Sequence, residues 1–377
     1  MSDPPTSAYL HVPFCAHRCG YCNFAVVAGR EDLAPAYLRA LGTELSWLVT
    51  PRPAETLYLG GGTPTRLAPA ELDELLTLAR RWFPPLAGAE PEWTVEANPG
   101  DLSDEKVRLL AEHGVTRVSL GVQSLNEAKL RRLERDHTPD QVRSTVEALH
   151  DAGLAVAADL IFAAPGETLD AWRDDLAAVT ELGSSHVSTY GLTFEKGTTF
   201  WSRRGRGDLH ELEDDLQRAM YELAIDRLVD AGFEHYEVSN FARPRARSRH
   251  NEAYWTGREW FAAGPGAARY VAGVRETNHR STFTWLRRVE AGESPVAERE
   301  ELSAREIAHE RLVFGMRRLE GVNRRDFAES TGYEIDTLAG EAIACFVGAG
   351  LLMDDGAVIR LSREGLMVSD SLWPDLL

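Results

Sequence analysis

The sequence predicts an α/β fold in which a partial (β/α)6 barrel precedes a mainly helical C-terminal domain with a winged-helix-like pattern. Three observations support this prediction. Six short β-rich runs recur through the first two-thirds of the chain, and apolar residues at helical spacing lie between them. Glycines and polar residues follow several of these runs, as they do at the functional edge of parallel barrels. After about residue 200 the alternation stops and helical segments dominate.

Strands that alternate with helices imply a parallel sheet with right-handed crossover connections, and six such units fit a partial barrel. Active residues in such barrels collect at the carboxyl ends of the strands. The predicted strands span residues 9–12, 56–59, 93–96, 117–122, 155–162 and 186–192. The predicted helices between them span residues 34–48, 69–82, 140–152 and 169–182.

The second half of the chain is predicted to contain one long helix at 211–231, a strand at 234–238 and a loop-bearing insert at 241–278. Residues 302–377 indicate several helices and then a hairpin-like stretch, "GLLMDDGAVIRLS". We therefore expect the barrel at 1–235, a connecting insert at 236–290 and the C-terminal domain at 291–377. Winged helices often bind DNA, but the acidity of the chain favours a packing or lid role for this one.

Composition and charge exclude several classes of protein. The 377 residues carry a net charge of −18, which argues against a general nucleic-acid binder because phosphate contacts need an excess of Lys and Arg. No apolar run is long enough to span a membrane, and the first residues lack a basic-then-apolar leader. Four cysteines, three of them clustered, do not form a disulfide framework. We therefore expect a cytoplasmic protein.

Three cysteines lie close together in "HVPFCAHRCGYCNF", at C-x3-C-x2-C spacing: Cys15, Cys19 and Cys22. Thiolates at this spacing suit zinc or an iron–sulfur cluster. A zinc knuckle would need a fourth ligand, for which His11 and His17 are the local candidates, and a disulfide with a free thiol is a further alternative. A four-iron cluster held by three thiolates would instead leave one iron open to an exogenous ligand. Cys345, in the apolar run "AIACFVGAG", is predicted to be a small core residue.

Aromatic residues flank the cysteines at Phe14, Tyr21 and Phe24, where they would shield a cluster from solvent. With these aromatics, the motif resembles that of the radical S-adenosylmethionine (SAM) superfamily. The resemblance implies a [4Fe–4S] cluster whose open iron binds the amino and carboxylate groups of the methionine moiety of SAM. It further implies electron transfer to the sulfonium, which releases a deoxyadenosyl radical.

Two segments at predicted strand ends extend this resemblance. "YLGGGTPTRL" places three glycines after a strand, and it is similar to the family's GGGTP segment, so Gly61, Gly62 and Thr63 are expected to contact SAM. A tight turn would explain the same glycines. Glu96 in "VEANP" matches a position that binds the SAM ribose or amino group, although a lone glutamate there is also typical of a helix-cap partner.

The remaining matches resemble the coproporphyrinogen-oxidase-like branch of the family, over about residues 8–270. Tyr9 matches a cofactor contact beside the cluster, and Gly191 matches a backbone contact. Gln123, Arg135 and Asp159 match a second cofactor or substrate pocket. Asp159 lies on an apolar strand, where an unpaired carboxylate would be costly, so a ligand or the nearby arginine is expected to partner it.

The segment "SRHNEAYW" resembles an HNxxYW motif associated with haem handling in the haem chaperones of this branch. An imidazole can bind haem iron axially, and two aromatics supply flat apolar surface. The predicted haem contacts are His250, Asn251, Tyr254 and Trp255, with propionate partners at Arg243, Arg245, Arg247 and Arg249. The alternative is a structural loop in which His250 caps a turn.

These resemblances imply a haem chaperone with a [4Fe–4S] cluster and bound SAM. It is expected to pass haem to acceptors such as respiratory enzymes. Any association with a membrane is expected to be peripheral and through an acceptor. The alternative is an oxygen-independent coproporphyrinogen III oxidase, and a third interpretation is a cluster-bearing scaffold without a haem role. The oxidase carries a longer N-terminal arm and a further cysteine two residues after the third, whereas Cys22 is followed by Asn23 and Phe24. We therefore expect no coproporphyrinogen oxidase activity. The sequence leaves the oligomeric state open.

Overall fold

The computed structural model describes residues 4–377, and a nine-stranded sheet dominates this part of the chain. The strands are β1 (Ser7–Val12), β2 (Phe14–Cys15), β3 (Val27–Ala28), β4 (Thr56–Gly61), β5 (Glu92–Ala97), β6 (Arg117–Gln123), β7 (Ala155–Phe162), β8 (His186–Gly191), β9 (Glu234–Glu237), β10 (Asn240–Ala242), β11 (Phe261–Ala263), β12 (Ala268–Val271), β13 (Val274–Asn278), β14 (Val296–Glu301), β15 (Val322–Asn323), β16 (Leu352–Asp354) and β17 (Val358–Leu361).

Helices cover the outer face of this sheet and build most of the C-terminal region. They are α1 (Ala34–Ser46), α2 (Pro69–Trp82), α3 (Asp104–Glu112), α4 (Glu127–Arg132), α5 (Pro139–Asp151), α6 (Leu169–Glu181), α7 (Thr199–Gly205), α8 (Asp214–Asp230), α9 (Arg249–Trp255), α10 (Thr282–Glu290), α11 (Ala304–Met316), α12 (Arg324–Thr331), α13 (Ile335–Gly348), α14 (Arg363–Met367) and α15 (Ser369–Leu372).

The main sheet has the strand order β11-β1-β4-β5-β6-β7-β8-β10-β9. The run from β1 to β8 is parallel, as is the β11–β1 pair, whereas β10 pairs antiparallel with both β8 and β9. The edges β11 and β9 leave the sheet open. The predicted α/β fold with a parallel core and a helical C-terminal region is therefore confirmed.

Local sequence signals explain where the helices begin. Thr138 caps α5: its hydroxyl accepts a hydrogen bond from the Gln141 amide (3.3 Å), while the Gln141 side chain accepts one from the Thr138 amide (2.8 Å). Proline occupies the first turn of both α2 and α5, where it has no hydrogen bond to lose. Each helix then buries its apolar side against the sheet, which leaves the inner side of the parallel strands free to form a site.

Two hydrophobic cores lie side by side. The main core packs the helices onto the sheet and includes Tyr37 of α1 and Trp285 of α10, whose ring centroids are 5.6 Å apart. The second core contains Leu312, Phe327 and Ile359, and it joins α11 to α13 with the small sheet β15-β17-β16. The domain boundaries remain a prediction.

The segment 241–278, expected to bear loops, contains α9 and four strands in the structure. One of these strands, β11, extends the main sheet beside β1, and Tyr9 pairs with Ala262 in its register. The other end of the segment forms the hairpin β12–β13, to which β14 adds a third strand. The insert is thus built into the barrel.

Candidate functional site

The carboxyl ends of the parallel strands surround a cavity of about 690 Å³. Polar side chains from β5 to β8 point into it, because alternate residues of a strand face the same side. The inward residues include Glu96, Ser119, Asp159 and Ser188. Barrel interiors are usually filled by branched apolar side chains, so an open and polar interior marks this one as a binding site.

The three clustered cysteines line this cavity on the segment between β1 and β3, residues 13–26, which we call the cysteine loop. Cys15 lies at the end of β2 within it. Cys19 is buried, whereas Cys15 and Cys22 are half-buried. Burial raises the pKa of Cys15 to about 12 and also raises that of Cys22, so both are thiols until a metal displaces the proton. Cys345 lies apart from them on α13 and is exposed, which corrects the prediction of a core residue.

The geometry does not favour the zinc alternative. The imidazole of His11 lies 3.0 Å from the Tyr9 hydroxyl and 2.9 Å from the Ala25 carbonyl oxygen, so both of its nitrogens are engaged. The His17 Nε2 atom lies 2.5 Å from the Glu134 carbonyl oxygen. Within residues 4–377, no three His, Cys, Asp or Glu side chains converge on a position for a single metal ion. A four-iron cluster has no such requirement, since each thiolate binds a different iron.

The glycine segment brings β4 against the cysteine loop. A Cβ atom on Gly62 would lie 2.7 Å from the Val12 and Phe14 carbonyl oxygens, and one on Gly61 would lie 2.2 Å from the His11 ring. Gly61 also has a φ of +102°, a conformation that costs other residues energy. The hydroxyl of the next residue, Thr63, accepts a hydrogen bond from Asn98 Nδ2 (2.8 Å) and lies 3.8 Å from Cys15 Sγ.

Glu96 lies at the end of β5, directly beside this segment. Its carboxylate accepts hydrogen bonds from the Tyr58 hydroxyl and from the Gly61 amide, both at 2.8 Å. Burial raises the pKa of Glu96 to about 7. A buried carboxylate of this kind is suited to bind a cation, which would restore its charged form.

Arg135 and Asp159 occupy the other side of the cavity. The Arg135 guanidinium donates to Cys19 Sγ (3.6 Å), to Asn98 Oδ1 and to the Gly121 carbonyl oxygen (3.1 Å). Its Nε atom is buried and has no hydrogen-bond partner in the part of the chain that the structure describes. Asp159 accepts from the Ser119 hydroxyl (3.0 Å), and burial raises the pKa of Asp159 to about 6. Of its two expected partners, a ligand or the arginine, the latter makes no hydrogen bond or ion pair with Asp159 within residues 4–377, although its charge lowers the Asp159 pKa.

Most of the predicted SAM residues therefore meet at one cavity. Its lining includes Tyr21, Gly61, Gly62, Thr63, Glu96, Gln123, Arg135, Asp159 and Gly191. Tyr9 does not line it: the Tyr9 hydroxyl contacts His11 behind the cysteine loop. Sequence reasoning missed Tyr58, Asn98 and Ser188, which the period-2 alternation along β4, β5 and β8 places on the inner side.

The HNxxYW segment forms α9 and lies at the opposite end of the barrel. The amides of Arg249 and His250 donate to the two oxygens of Glu92, the first residue of β5, at 3.0 and 2.9 Å. Asn251 reaches the floor of the cavity, together with Ser248. The motif thus closes the barrel where the strands begin, away from the cysteines.

The structure engages the His250 side chain in contacts within the protein, and its haem-ligand role stays a prediction. The side chain is 1% exposed and stacks on Tyr58 with ring centroids 5.1 Å apart. The Thr56 hydroxyl donates its hydrogen to Ser7 (2.9 Å), so it can only accept from His250 Nδ1 (3.0 Å). With the ring proton on Nδ1, the Nε2 atom accepts a hydrogen bond from the Tyr254 hydroxyl (2.8 Å). Burial lowers the pKa of His250 to about 3, which keeps the ring neutral. Both nitrogens are therefore occupied by the protein.

Several of the other predicted haem contacts are engaged by the protein, whereas Arg245 is exposed and Asn251 lines the cavity. Trp255 lies beside Phe314, and the Arg317 guanidinium covers the Trp255 ring at 4.6 Å from the ring centroid. Arg247 forms ion pairs with three carboxylates: Glu234, Glu252 and Glu320. The guanidinium of Arg243 covers the Phe233 ring at 4.0 Å. These contacts bind Arg243, Arg247 and Trp255 to β9 and its neighbours and to the second core.

The parallel barrel and its three-cysteine loop define a radical SAM protein. The chain matches "Radical SAM superfamily" over residues 9–179 and "HemN C-terminal domain" over residues 302–368. It belongs to the HemW family, because it is 37% identical to the "Heme chaperone HemW" of Lactococcus lactis over 100% of this chain and 98% of that protein.

Further relatives agree with this assignment, and a solved structure shares the fold. Proteins of the same description are 31% identical in Bacillus subtilis, over 97% of this chain and 98% of that protein, and 35% identical in Mycobacterium tuberculosis, over 100% and 96%. The structure of HemN, the coproporphyrinogen III oxidase of Escherichia coli, superposes with a TM-score of 0.87 over 99% of this chain and 90% of HemN. At 20% identity, this last match shows the shared fold alone.

Among the described helices, none combines the length and apolarity that a membrane crossing requires.

Proposed function

We propose that the protein is a cytoplasmic haem chaperone that carries a [4Fe–4S] cluster with bound SAM. The observation that supports the haem role is the similarity over the whole chain to relatives described as haem chaperones, at 31–37% identity. Haem is the cargo, and the acceptors are haem-dependent proteins such as respiratory enzymes, through which the chaperone associates peripherally with a membrane.

The residues of the cavity fit a cluster with an open iron. Cys15, Cys19 and Cys22 would each bind one iron, and the described chain brings no fourth thiolate to the cavity. Arg135 has a buried Nε–H without an acceptor beside Cys19, a position suited to the methionine carboxylate of SAM. When bound, the cluster supplies an electron and a coordination position for SAM.

The remaining cavity residues would position SAM by charge and by close backbone approach. The Glu96 carboxylate would accept a hydrogen bond from the iron-bound amino group, and a hydrogen bond to the charged form keeps the carboxylate ionised. Gly61, Gly62 and Thr63 form the wall beside the cysteine loop. Gln123, Asp159 and Gly191 line the opposite wall, and Tyr21 shields the cluster.

The test compares haem with coproporphyrinogen III as substrates of the full-length, reconstituted protein. Under anaerobic conditions with SAM and a reductant, we expect retention of added haem on gel filtration and no protoporphyrinogen from coproporphyrinogen III. The missing cysteine beside Cys22 is the reason to expect no decarboxylation. Protoporphyrinogen formation would assign the protein to the oxidases instead, and absence of both activities would leave a cluster-bearing scaffold.

A further inference from the structure

The mouth of the cavity carries an unusual group of exposed side chains, which we call the mouth rim: Arg18, Phe24, Arg280 and Phe283. The Arg18 Nε atom donates to the Cys22 carbonyl oxygen at 3.2 Å, and the Arg280 guanidinium donates to the carbonyl oxygen of the next residue, Asn23. Two cations thus gather at the backbone immediately before Phe24. Three members of the rim, Arg18, Phe24 and Arg280, line the cavity itself.

The mouth rim also carries two exposed apolar rings. Phe24 is 64% exposed and Phe283 is 51% exposed, and no other phenylalanine within residues 4–377 is exposed. Phe283 lies three residues after Arg280, and its ring is 5.3 Å from the guanidinium of Arg30, which follows β3. A single exposed aromatic residue is common, whereas one that lines the cavity (Phe24) and a second that follows another lining residue (Arg280) by three positions indicate a surface that a ligand covers.

The charges of the rim are available to a ligand. Neither Arg18 nor Arg280 has a carboxylate within ion-pair distance in the described chain, whose net charge is −18. Arg247, by contrast, is surrounded by three carboxylates. Free cations next to exposed aromatic rings are complementary to a flat apolar molecule with anionic side chains. Haem, with its porphyrin face and two propionates, has both properties.

We propose that haem docks on the mouth rim, with its apolar face on Phe24 and Phe283 and its propionates at Arg18 and Arg280. This inference rests on the haem-binding function proposed above and replaces α9 as the docking site. It places the cargo at the open end of the barrel, beside the cysteine loop. The HNxxYW segment then supports the barrel floor.

The test is a haem titration of full-length, cluster-loaded protein, followed by Soret absorbance. The double variant Phe24→Ala/Phe283→Ala removes the apolar surface, and we expect its Kd for haem to rise by about tenfold or more. Trp47→Ala is the matched control, because Trp47 is an exposed aromatic residue that follows α1 at the other end of the barrel. It should bind haem like the unmodified protein.

A second pair of variants tests the charges. Arg18→Glu/Arg280→Glu should weaken haem binding more strongly at low than at high ionic strength, since exposed charges are screened by salt. Arg39→Glu/Arg143→Glu, at exposed positions of α1 and α5, is the control, because it changes the net charge by the same amount. Iron content is measured in parallel, because Arg18 and Arg280 contact the cysteine loop.

The outcomes separate this inference from the proposed function. If the unmodified protein fails to bind haem, the proposed function itself falls, and this inference falls with it. If the unmodified protein binds haem and both rim variants bind it equally well, the rim is not the docking site, although the protein still handles haem. If a rim variant loses iron, Phe283→Ala decides, because Phe283 belongs to α10 and not to the segment that carries the cysteines: weaker haem binding supports the rim, and unchanged binding overturns it.

Discussion

The Nδ1 atom of His250 lies 3.0 Å from the Thr56 hydroxyl, which fixes the first helical turn of α9 against the start of β4. The partner on Nε2 is the Tyr254 hydroxyl, one turn further along the same helix. Hydrogen bonds on both nitrogens hold the ring in the barrel floor, and in this arrangement the Nε2 lone pair faces the Tyr254 hydroxyl.

His250→Ala should therefore lower stability without changing the spectrum of bound haem. Loss of the buried ring and of two hydrogen bonds is expected to cost about 2–4 kcal/mol of the free energy of unfolding. Tyr254→Phe, which removes a hydroxyl alone, should cost about 1 kcal/mol. Denaturant unfolding measures both values. A folded His250→Ala protein whose bound haem has a shifted Soret band would show instead that the imidazole reaches iron.

Replacing any one of Cys15, Cys19 and Cys22 by serine should prevent assembly of the four-iron cluster, because each thiolate holds one iron. Cys345→Ser is the control, since that residue is exposed on α13 and does not line the cavity. Iron and sulfide analysis, with absorbance of the reconstituted protein, gives the result. Full cluster content in the Cys19 variant would remove the basis for the site.

Glu96→Gln should weaken SAM binding by about tenfold, since it replaces a charge-assisted hydrogen bond by a neutral one. The pKa of Glu96 is raised to about 7, so the carboxylate is ionised above this pH and protonated below it. The SAM affinity of the unmodified protein should accordingly fall as the pH drops from 8 to 6, whereas that of Glu96→Gln should change less. Equal pH profiles by equilibrium dialysis would exclude Glu96 as the partner of the amino group.

Gly61→Ala should impair the site far more than a left-handed glycine elsewhere. Its added Cβ would meet the His11 ring at 2.2 Å, in addition to the strain of a φ of +102°. Gly88 has a φ of +83° with no atom within 4 Å of an added Cβ, so Gly88→Ala isolates the strain, at about 1–2 kcal/mol. Thermal unfolding and SAM binding should both separate the two variants. Similar behaviour of the two would show that the contact with His11 is unimportant.

The barrel could be predicted from sequence because its signals are local. The helix at 69–82 and the strand at 155–162 agree with α2 (Pro69–Trp82) and β7 (Ala155–Phe162) in both bounds. The short strands β11 to β13 were not predicted, because three to five residues carry too little periodicity and their pairing depends on distant partners.

The lining of the cavity could be predicted in part from the sequence. The packing of the segment 250–255 at the floor of the barrel could not. Residues at strand ends meet by topology, so Glu96 and Asp159 were predicted to contact a cofactor or a substrate. The motif at 250–255 carries residue types that suit haem, and sequence spacing does not reveal that its partners are Thr56 and Glu92 at the starts of other strands. Cys345 was placed in a core because its helix is apolar, but the second core covers one side of α13 and leaves this residue exposed.

The central claim is that this barrel carries haem as cargo beside an intact cluster. Stoichiometric titration of haem into the full-length, iron-loaded protein with SAM present tests it most directly, with Soret absorbance and iron content measured on the same samples. The account predicts saturation at one haem per chain, with the iron of the cluster retained. Absorbance that rises in proportion to added haem without saturating would contradict it.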